Sequence, residues 1–323
     1  MLPSSITKLS VVLLMVCGLS TSCPAEEDIA PSCICEDRGN GPMMICFHIR
    51  SPDELIQPMK SAEPYDMFSL AISNSTLQYL PSELFHGMRF RSIRFMHTQL
   101  MSLSDSDVAF EGLENYLEKL QILEGHFVAR WEWDQLRNLK KLELLDVNAI
   151  SLTSIDEPFP ELKTLEALGF VNADISFVVE KAFAKLENLR IFNMKGNSLK
   201  EIKRNILPNP AAKLLFLDFS GNKLEHLPDD MFKNMPNLVD VDLENNHFAT
   251  LNEDTFSWPL NNLETLVLRG NPFKCDCRLR WLVDSSKPKS FSAKCASPEH
   301  LKERDLSRSY YKDAVWCDST ETG

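Results

Sequence analysis

The amino-acid sequence predicts an α/β-type solenoid: right-handed, curved, with a parallel concave sheet, an irregular convex side and cysteine-rich caps at both ends. Three observations lead there. Nine apolar anchors (Leu70, Ile93, Leu120, Leu145, Leu168, Phe192, Leu217, Val241 and Leu266) recur at steps of 23 to 27 residues. A phenylalanine column, Phe85, Phe159, Phe183, Phe232 and Phe256, returns between them, with Phe110 joining it after a small insertion. Two clusters of four cysteines bracket 228 residues that contain none.

In chain order, the first element reads as a secretory leader over residues 1–22. Lys8 is its only charge, and the apolar run Leu9–Leu19 is too short to span a bilayer. Ser20, Thr21 and Ser22 suit signal peptidase, which places the mature start near Cys23. The alternative, an N-terminal anchor, is opposed by that short run and its polar flank. No later stretch is apolar enough to cross a membrane, and the tail Asp318–Gly323 lacks the hydrophobic end of a lipid-anchor signal. A secreted, extracellular product without a membrane anchor is expected. Without the leader the balance is 33 basic against 46 acidic residues. That excess argues against nucleic acid, whose phosphates call for a basic surface. It suits either a cationic partner or plain solubility.

Cys17 leaves with the leader, and eight cysteines remain: Cys23, Cys33, Cys35, Cys46, Cys275, Cys277, Cys295 and Cys317. One-residue gaps, as in Cys33-Ile-Cys35 and Cys275-Asp-Cys277, are too tight for structural zinc pairs. An even count in an exported chain points to disulfides. The expected organisation is an N-terminal cap over 23–64, about nine repeats over 65–274, and a C-terminal cap with a short tail over 275–323.

Within the repeats the phrase Leu-x-x-Leu-x-Leu-x-x-Asn-x-Leu appears four times with conservative swaps, at 189–199, 214–224, 238–248 and 263–273. This is the leucine-rich-repeat period and phrase. Alternation makes a short strand with its apolar face inward, and one coil cannot bury that face without a neighbour. The ninth place holds Asn197, Asn222, Asn246 and Asn271, whose amides can satisfy backbone groups where the chain leaves the strand. The five earlier repeats carry Ser75, Thr98, Gly125, Ile150 and Ala173 there, so a looser or differently curved half is expected. Around residues 139–150 the register is open, because Leu142 and Leu144 can substitute for Leu145 and Val147. The phenylalanines read as core, not as a cofactor box.

The phrase Asn271-Pro-Phe-Lys-Cys-Asp-Cys-Arg-Leu-Arg-Trp-Leu282, followed by Cys295 and Cys317, resembles the C-terminal cap of extracellular leucine-rich-repeat proteins. The resemblance implies Cys275–Cys295 and Cys277–Cys317, with Trp281 packed over the last coil. The first cluster resembles the matching N-terminal cap, implying Cys23–Cys35 and Cys33–Cys46, although the step from Cys23 to Cys33 is longer than that pattern. With its opening Cys23-Pro-Ala-Glu-Glu-Asp-Ile-Ala-Pro-Ser-Cys33-Ile-Cys35, the chain is similar to a group of secreted arthropod proteins. These are related to the non-catalytic leucine-rich-repeat subunit of a shrimp luciferase, Oplophorus-luciferin 2-monooxygenase. The likeness implies an accessory role without oxidation chemistry.

No nucleophile elbow, phosphate-binding glycine loop, paired-histidine zinc motif or dinucleotide fingerprint occurs, and the seven histidines are scattered. A non-enzymatic protein that uses no cofactor or metal and works by protein–protein interaction is expected. An extracellular recognition receptor, immune or matrix, is the alternative, and a secreted enzyme with an unrecognised site is the remaining class. Asn74-Ser-Thr76 is the single glycosylation sequon, and Asn74 reads either as an acceptor or as a shifted, buried ladder residue. The exposed strand places nominate a concave docking patch of Phe216, Asp218, Asp240, Asp242 and Glu244, flanked by Lys195 and Arg269. Its three aspartates stand at mutually repulsive spacing with no evident packing purpose, which suits a basic segment of an extracellular protein. An ordinary acidic surface explains the same residues.

Overall fold

The structure, a computed structural model, describes residues 22–37, 39, 41–125 and 131–307. Residues 1–21, which hold most of the expected leader, and Cys317 with the tail lie outside the described residues. The main sheet has twelve strands. Its first two, Cys33–Asp37 and Pro42–Phe47, pair antiparallel within the N-terminal cap, and every later neighbour pairs parallel. The predicted anchors stand in one register: Leu70 opposite Ile93, then Leu120, Leu145, Leu168, Phe192, Leu217, Val241 and Leu266. The open register around 139–150 therefore resolves to Leu145 and Val147, while Leu142 is buried on the approach to the strand. Met44 extends the row into the N-terminal cap and Phe291 into the C-terminal one.

All nine anchors are buried, each exposed by 2% or less. Behind them the phenylalanine column is buried as well, with ring centroids 5.8 Å apart for Phe85–Phe110, 5.3 Å for Phe159–Phe183 and 6.0 Å for Phe232–Phe256. Trp133 fills the place between Phe110 and Phe159 and stacks on Phe159 at 4.8 Å. Because the column tolerates any large flat ring, a search for phenylalanine alone passes over it. Ile206 is the aliphatic member between Phe183 and Phe232.

Each ladder asparagine is buried and joins two coils. Asn222 accepts the Leu199 N–H at 3.0 Å and donates to the carbonyls of Met194 and Phe219 at 2.9 and 3.0 Å. Asn246 and Asn271 repeat the pattern one and two coils on. Asn197 accepts two N–H groups, from Ala173 and Ile175. In the first coils Ser75 and Thr98 do part of this work: Ser75 Oγ accepts the Ile49 N–H, and Thr98 donates to Ile72 and Met96 carbonyls.

The N-terminal half is not looser in its pairing. Its strands run five residues, whereas those at Ile191–Asn193, Phe216–Asp218 and Asp240–Asp242 run three. The strand Thr265–Val267 is equally short, with Val267 at the fifth place, while the other three short strands carry an Asx residue there. Asn193, Asp218 and Asp242 each accept the N–H of the residue two further on, at 2.8 to 2.9 Å. That Asx turn takes the next donor out of the ladder in these three coils. Among the described residues Ala71, Arg94, Gln121, Asp146 and Gly169 form no such bond, and their strands continue to the seventh place.

One place further, every coil turns through positive φ: Asn74, His97, Glu124, Ala149, Asn172, Gly196, Gly221, Asn245 and Gly270. At Gly196 a Cβ would run into the Asn172 side-chain oxygen of the preceding coil, so glycine there serves both conformation and space. Among the described residues the caps hold Cys23–Cys35, Cys33–Cys46 and Cys275–Cys295 disulfides. Cys277 is disulfide-bonded too, and the cysteine expected to pair with it, Cys317, lies outside the described residues. Trp281 packs half-buried against the last of the core.

Replacing Asn222 with alanine strands one N–H and two carbonyls in a buried position. The expected loss is about 2–4 kcal/mol, read by urea denaturation. The substitution Asn222→Asp is expected to lose most of the same stability, because it keeps the acceptor and removes both donors. A neutral outcome for both would show that the ladder is dispensable.

Candidate functional site

The parallel register converts the repeat phrase into columns on the concave face. The third-place column runs Lys119, Leu144, Ala167, Ile191, Phe216, Asp240 and Thr265. The fifth-place column runs Arg94, Gln121, Asp146, Gly169, Asn193, Asp218, Asp242 and Val267. Ile191 and Phe216 sit side by side on adjacent strands and are 44% and 42% exposed, which makes one contiguous apolar patch on the concave sheet. A groove of about 460 Å³ opens beside them, lined by Asp218, Asp240 and Asp242 together with Thr265 and Val267. Exposed apolar surface rimmed by polar groups is a common mark of an interaction site.

The structure sorts the predicted patch into three kinds of residue. Phe216, Asp218, Asp240 and Asp242 converge on the groove. Glu244 and Arg269 pair with each other at 2.7 Å, which largely spends both charges. Lys195 stays exposed on the next column and draws on Asp242 only through space. Ile191, which stands beside Phe216, joins the groove from a strand whose fifth-place residue, Asn193, is uncharged.

The expectation that the aspartates serve no packing purpose is wrong for two of them. Asp218 and Asp242 each commit one oxygen to the backbone turn, as Asn193 does without a charge in the coil before. Recurrence of an Asx residue at one place in three successive coils was the available signal. Only Asp240 of the three has no such duty among the described contacts. Part of the acidic character is thus a by-product of turn chemistry, and what remains for a partner is the second oxygen of each carboxylate plus Asp240.

Burial pushes the Asp242 carboxyl above the ordinary carboxylate range; its acidic neighbours Asp218 and Glu244 push the same way, against the Glu244 N–H and Lys195. Burial also raises Asp146, which Gln121 partly offsets, and Gln121 is held in turn by Arg94 at 2.9 Å. A carboxyl raised in the folded state binds its proton more tightly there than in the unfolded chain. Stability from these groups is therefore highest below the unfolded value and falls as pH rises through the window up to the raised folded value. Among the described residues no group of three His, Cys, Asp or Glu side chains is arranged to hold a metal ion.

Asn74 lies just past the strand Ser69–Ser73 and is exposed, with positive φ, while the buried Ser75 takes the ladder place. The shifted-ladder reading is therefore excluded, and the side chain is open to modification.

Asp242→Asn keeps the turn acceptor and removes the penalty of a half-buried charge. The variant is expected to melt slightly higher than the parent at neutral pH, by a gain within about 1 kcal/mol after solvent screening. The gain is expected to vanish as pH approaches the ordinary carboxylate range, and thermal scans across mildly acidic pH check both points. A variant that melts lower at neutral pH would show that the charge itself supports the fold.

A sequence profile of the family described as Leucine rich repeat matches residues 212–273. The Oplophorus-luciferin 2-monooxygenase non-catalytic subunit of Oplophorus gracilirostris is 26% identical over 94% of this chain and 91% of its own length. Chondroadherin of Homo sapiens is 39% identical over 29% of this chain and 27% of its own. Among solved structures, a chain of the octameric complex of Latrophilin 3 (Lec, Olf), Unc5D (Ig, Ig2, TSP1) and FLRT2 (LRR) matches with a TM-score of 0.59. At 19% identity it covers 88% of this chain and 97% of that one. This chain is a leucine-rich-repeat solenoid with cysteine-rich caps, similar along nearly its whole length to a non-catalytic subunit.

Proposed function

We propose that this chain is a secreted accessory subunit that holds an extracellular protein on the concave face of its C-terminal coils. The observation that carries the reading is the exposed Ile191–Phe216 pair beside the groove of Asp218, Asp240 and Asp242. Similarity to a non-catalytic subunit over most of both chains supports an accessory role, and the disulfide caps support an oxidising, extracellular setting. No helix among the described residues is long and apolar enough to cross a membrane.

The expected contact has two parts. An apolar group of the partner covers Phe216 and Ile191, which supplies affinity, and a lysine or arginine enters the carboxylate groove, which supplies selectivity and speed of encounter. Glu244 and Arg269 form a paired rim at the far edge. Glycosylation at Asn74 places a sugar one turn beyond the strand edge of the first coil, far along the stack from the groove.

Partner capture from the native extracellular fluid, identified by mass spectrometry, tests the reading. The parent protein is expected to bring down a partner. Phe216→Ala combined with Asp240→Asn and Asp242→Asn is expected to weaken capture by about 10²-fold or more, with folding unchanged. Equal capture by parent and variant at low and moderate salt would place the interaction elsewhere on the molecule. Separately, Asn74→Gln is expected to abolish the only N-glycan shift on gels of the secreted protein.

A further inference from the structure

The convex side carries a second groove, and one coil creates it. After Asp240–Asp242 the chain folds into the ten-residue helix Glu253–Asn262, where other coils have turns or single 3-10 turns. Asn252 caps the helix by accepting the Asp254 N–H at 3.0 Å. The Asn252 amide and the Thr255 hydroxyl both donate to one oxygen of Asp229 in the preceding coil, at 2.7 and 3.2 Å. Those bonds tether the start of the helix to its neighbour. Further along, a helix is wider than the turn below it, and the two coils stand apart by a cleft of about 700 Å³.

The walls of the cleft are apolar: Trp258 from the helix, Phe232, Met235 and Pro236 from the preceding coil, and Pro210 from the coil before that. Trp258 is only half-buried, so part of its indole faces the opening. The lips are acidic. Asp254 has no salt-bridge partner among the described residues, and Asp230 lies within electrostatic reach of the buried Arg204, whose Nε and Nη1 donate to the Lys233 and Leu207 carbonyls while its Nη2 has no hydrogen-bond partner among the described residues. Against Asp229, Asp230 and Asp254 the lining offers a single cation, Lys233. The cleft crosses three coils, roughly 10 Å, which is the length of about three extended residues.

We propose that this cleft is a second binding site, separate from the concave face, for an extended peptide segment of another protein centred on an arginine. A guanidinium is planar, stacks on an indole and pairs with carboxylates on either side, so it meets Trp258, Asp230 and Asp254 together. Apolar residues flanking the arginine cover the exposed Pro236 and Pro210. Lysine fits less well, because a compact ammonium cannot stack and pair at once.

The test uses the full secreted chain labelled with ¹⁵N at its tryptophan indoles, with Trp258→Phe identifying the Trp258 signal. The probes are acetyl-Leu-Arg-Leu-amide and the same peptide with citrulline, which keeps the shape and removes the charge. The arginine peptide is expected to move the Trp258 signal, and citrulline is expected to bind at least about tenfold more weakly. Asp254→Asn and, independently, Asp230→Asn are expected to weaken the arginine peptide to a similar degree while circular dichroism and melting stay at the parent values. A Trp258 signal that stays still at millimolar peptide, or that responds equally to both peptides, overturns the proposal. So does unchanged affinity in both aspartate variants.

Discussion

A backbone that changes direction once per coil leaves donors and acceptors inside the stack where water does not reach, and the side chain–backbone ladder answers that need. The amide of Asn222 alone serves an N–H and a carbonyl of the preceding coil and a carbonyl of its own. An unpaired buried backbone group costs about 1–3 kcal/mol, so each asparagine holds together two coils that hydrophobic contact alone would leave free to slide. From Asn197 to Asn271 this bond is made at the same place in coil after coil, and it adds to the strand pairing that holds the anchors and the concave columns in register there.

Where the ladder changes, the sheet changes with it. From Gly125 to Ala173 the place is apolar, and side chains bond the backbone of the preceding coil elsewhere: the Trp131 indole N–H reaches the Leu100 carbonyl, and Gln135 reaches that of Ser106. The strands there run five residues, against three in the coils that carry a ladder asparagine. The two halves of the protein are thus built on different solutions to one problem. The long-stranded half offers a broad, mostly paired surface, with Arg94, Gln121 and Asp146 bonded in a row. The short-stranded half turns out earlier and leaves carboxylates and two large apolar side chains open.

The concave groove and the convex cleft follow from the same architecture by different routes. Repetition alone aligns Phe216 with Ile191 and Asp218 with Asp242, since a side chain at a given place meets the same place one strand over. The cleft comes instead from a break in repetition, a helix where neighbouring coils have turns, fixed at one end by Asp229. A solenoid couples mainly nearest neighbours, so either surface can vary without rebuilding the other.

Period, phrase and cysteine placement were enough to determine the solenoid, its anchors and the direction each strand side chain faces. Those features are local: each coil repeats the same instruction, and Leu217 or Asn222 means the same thing wherever the phrase occurs. Two columns are carried by the sequence without a plain residue pattern, the positive-φ row from Asn74 to Gly270 and the Asx row of Asn193, Asp218 and Asp242. Their meaning lies in backbone dihedrals and bonds to main-chain N–H groups, which residue type alone signals weakly. Tertiary structure decided the rest. Which carboxylates are paired, as Glu244 is with Arg269, depends on long side chains meeting across strands. How far Asp242 is raised depends on burial, and the gap beside Trp258 depends on how a helix packs against the coil beneath it. These are properties of contacts between coils, and no single repeat contains them.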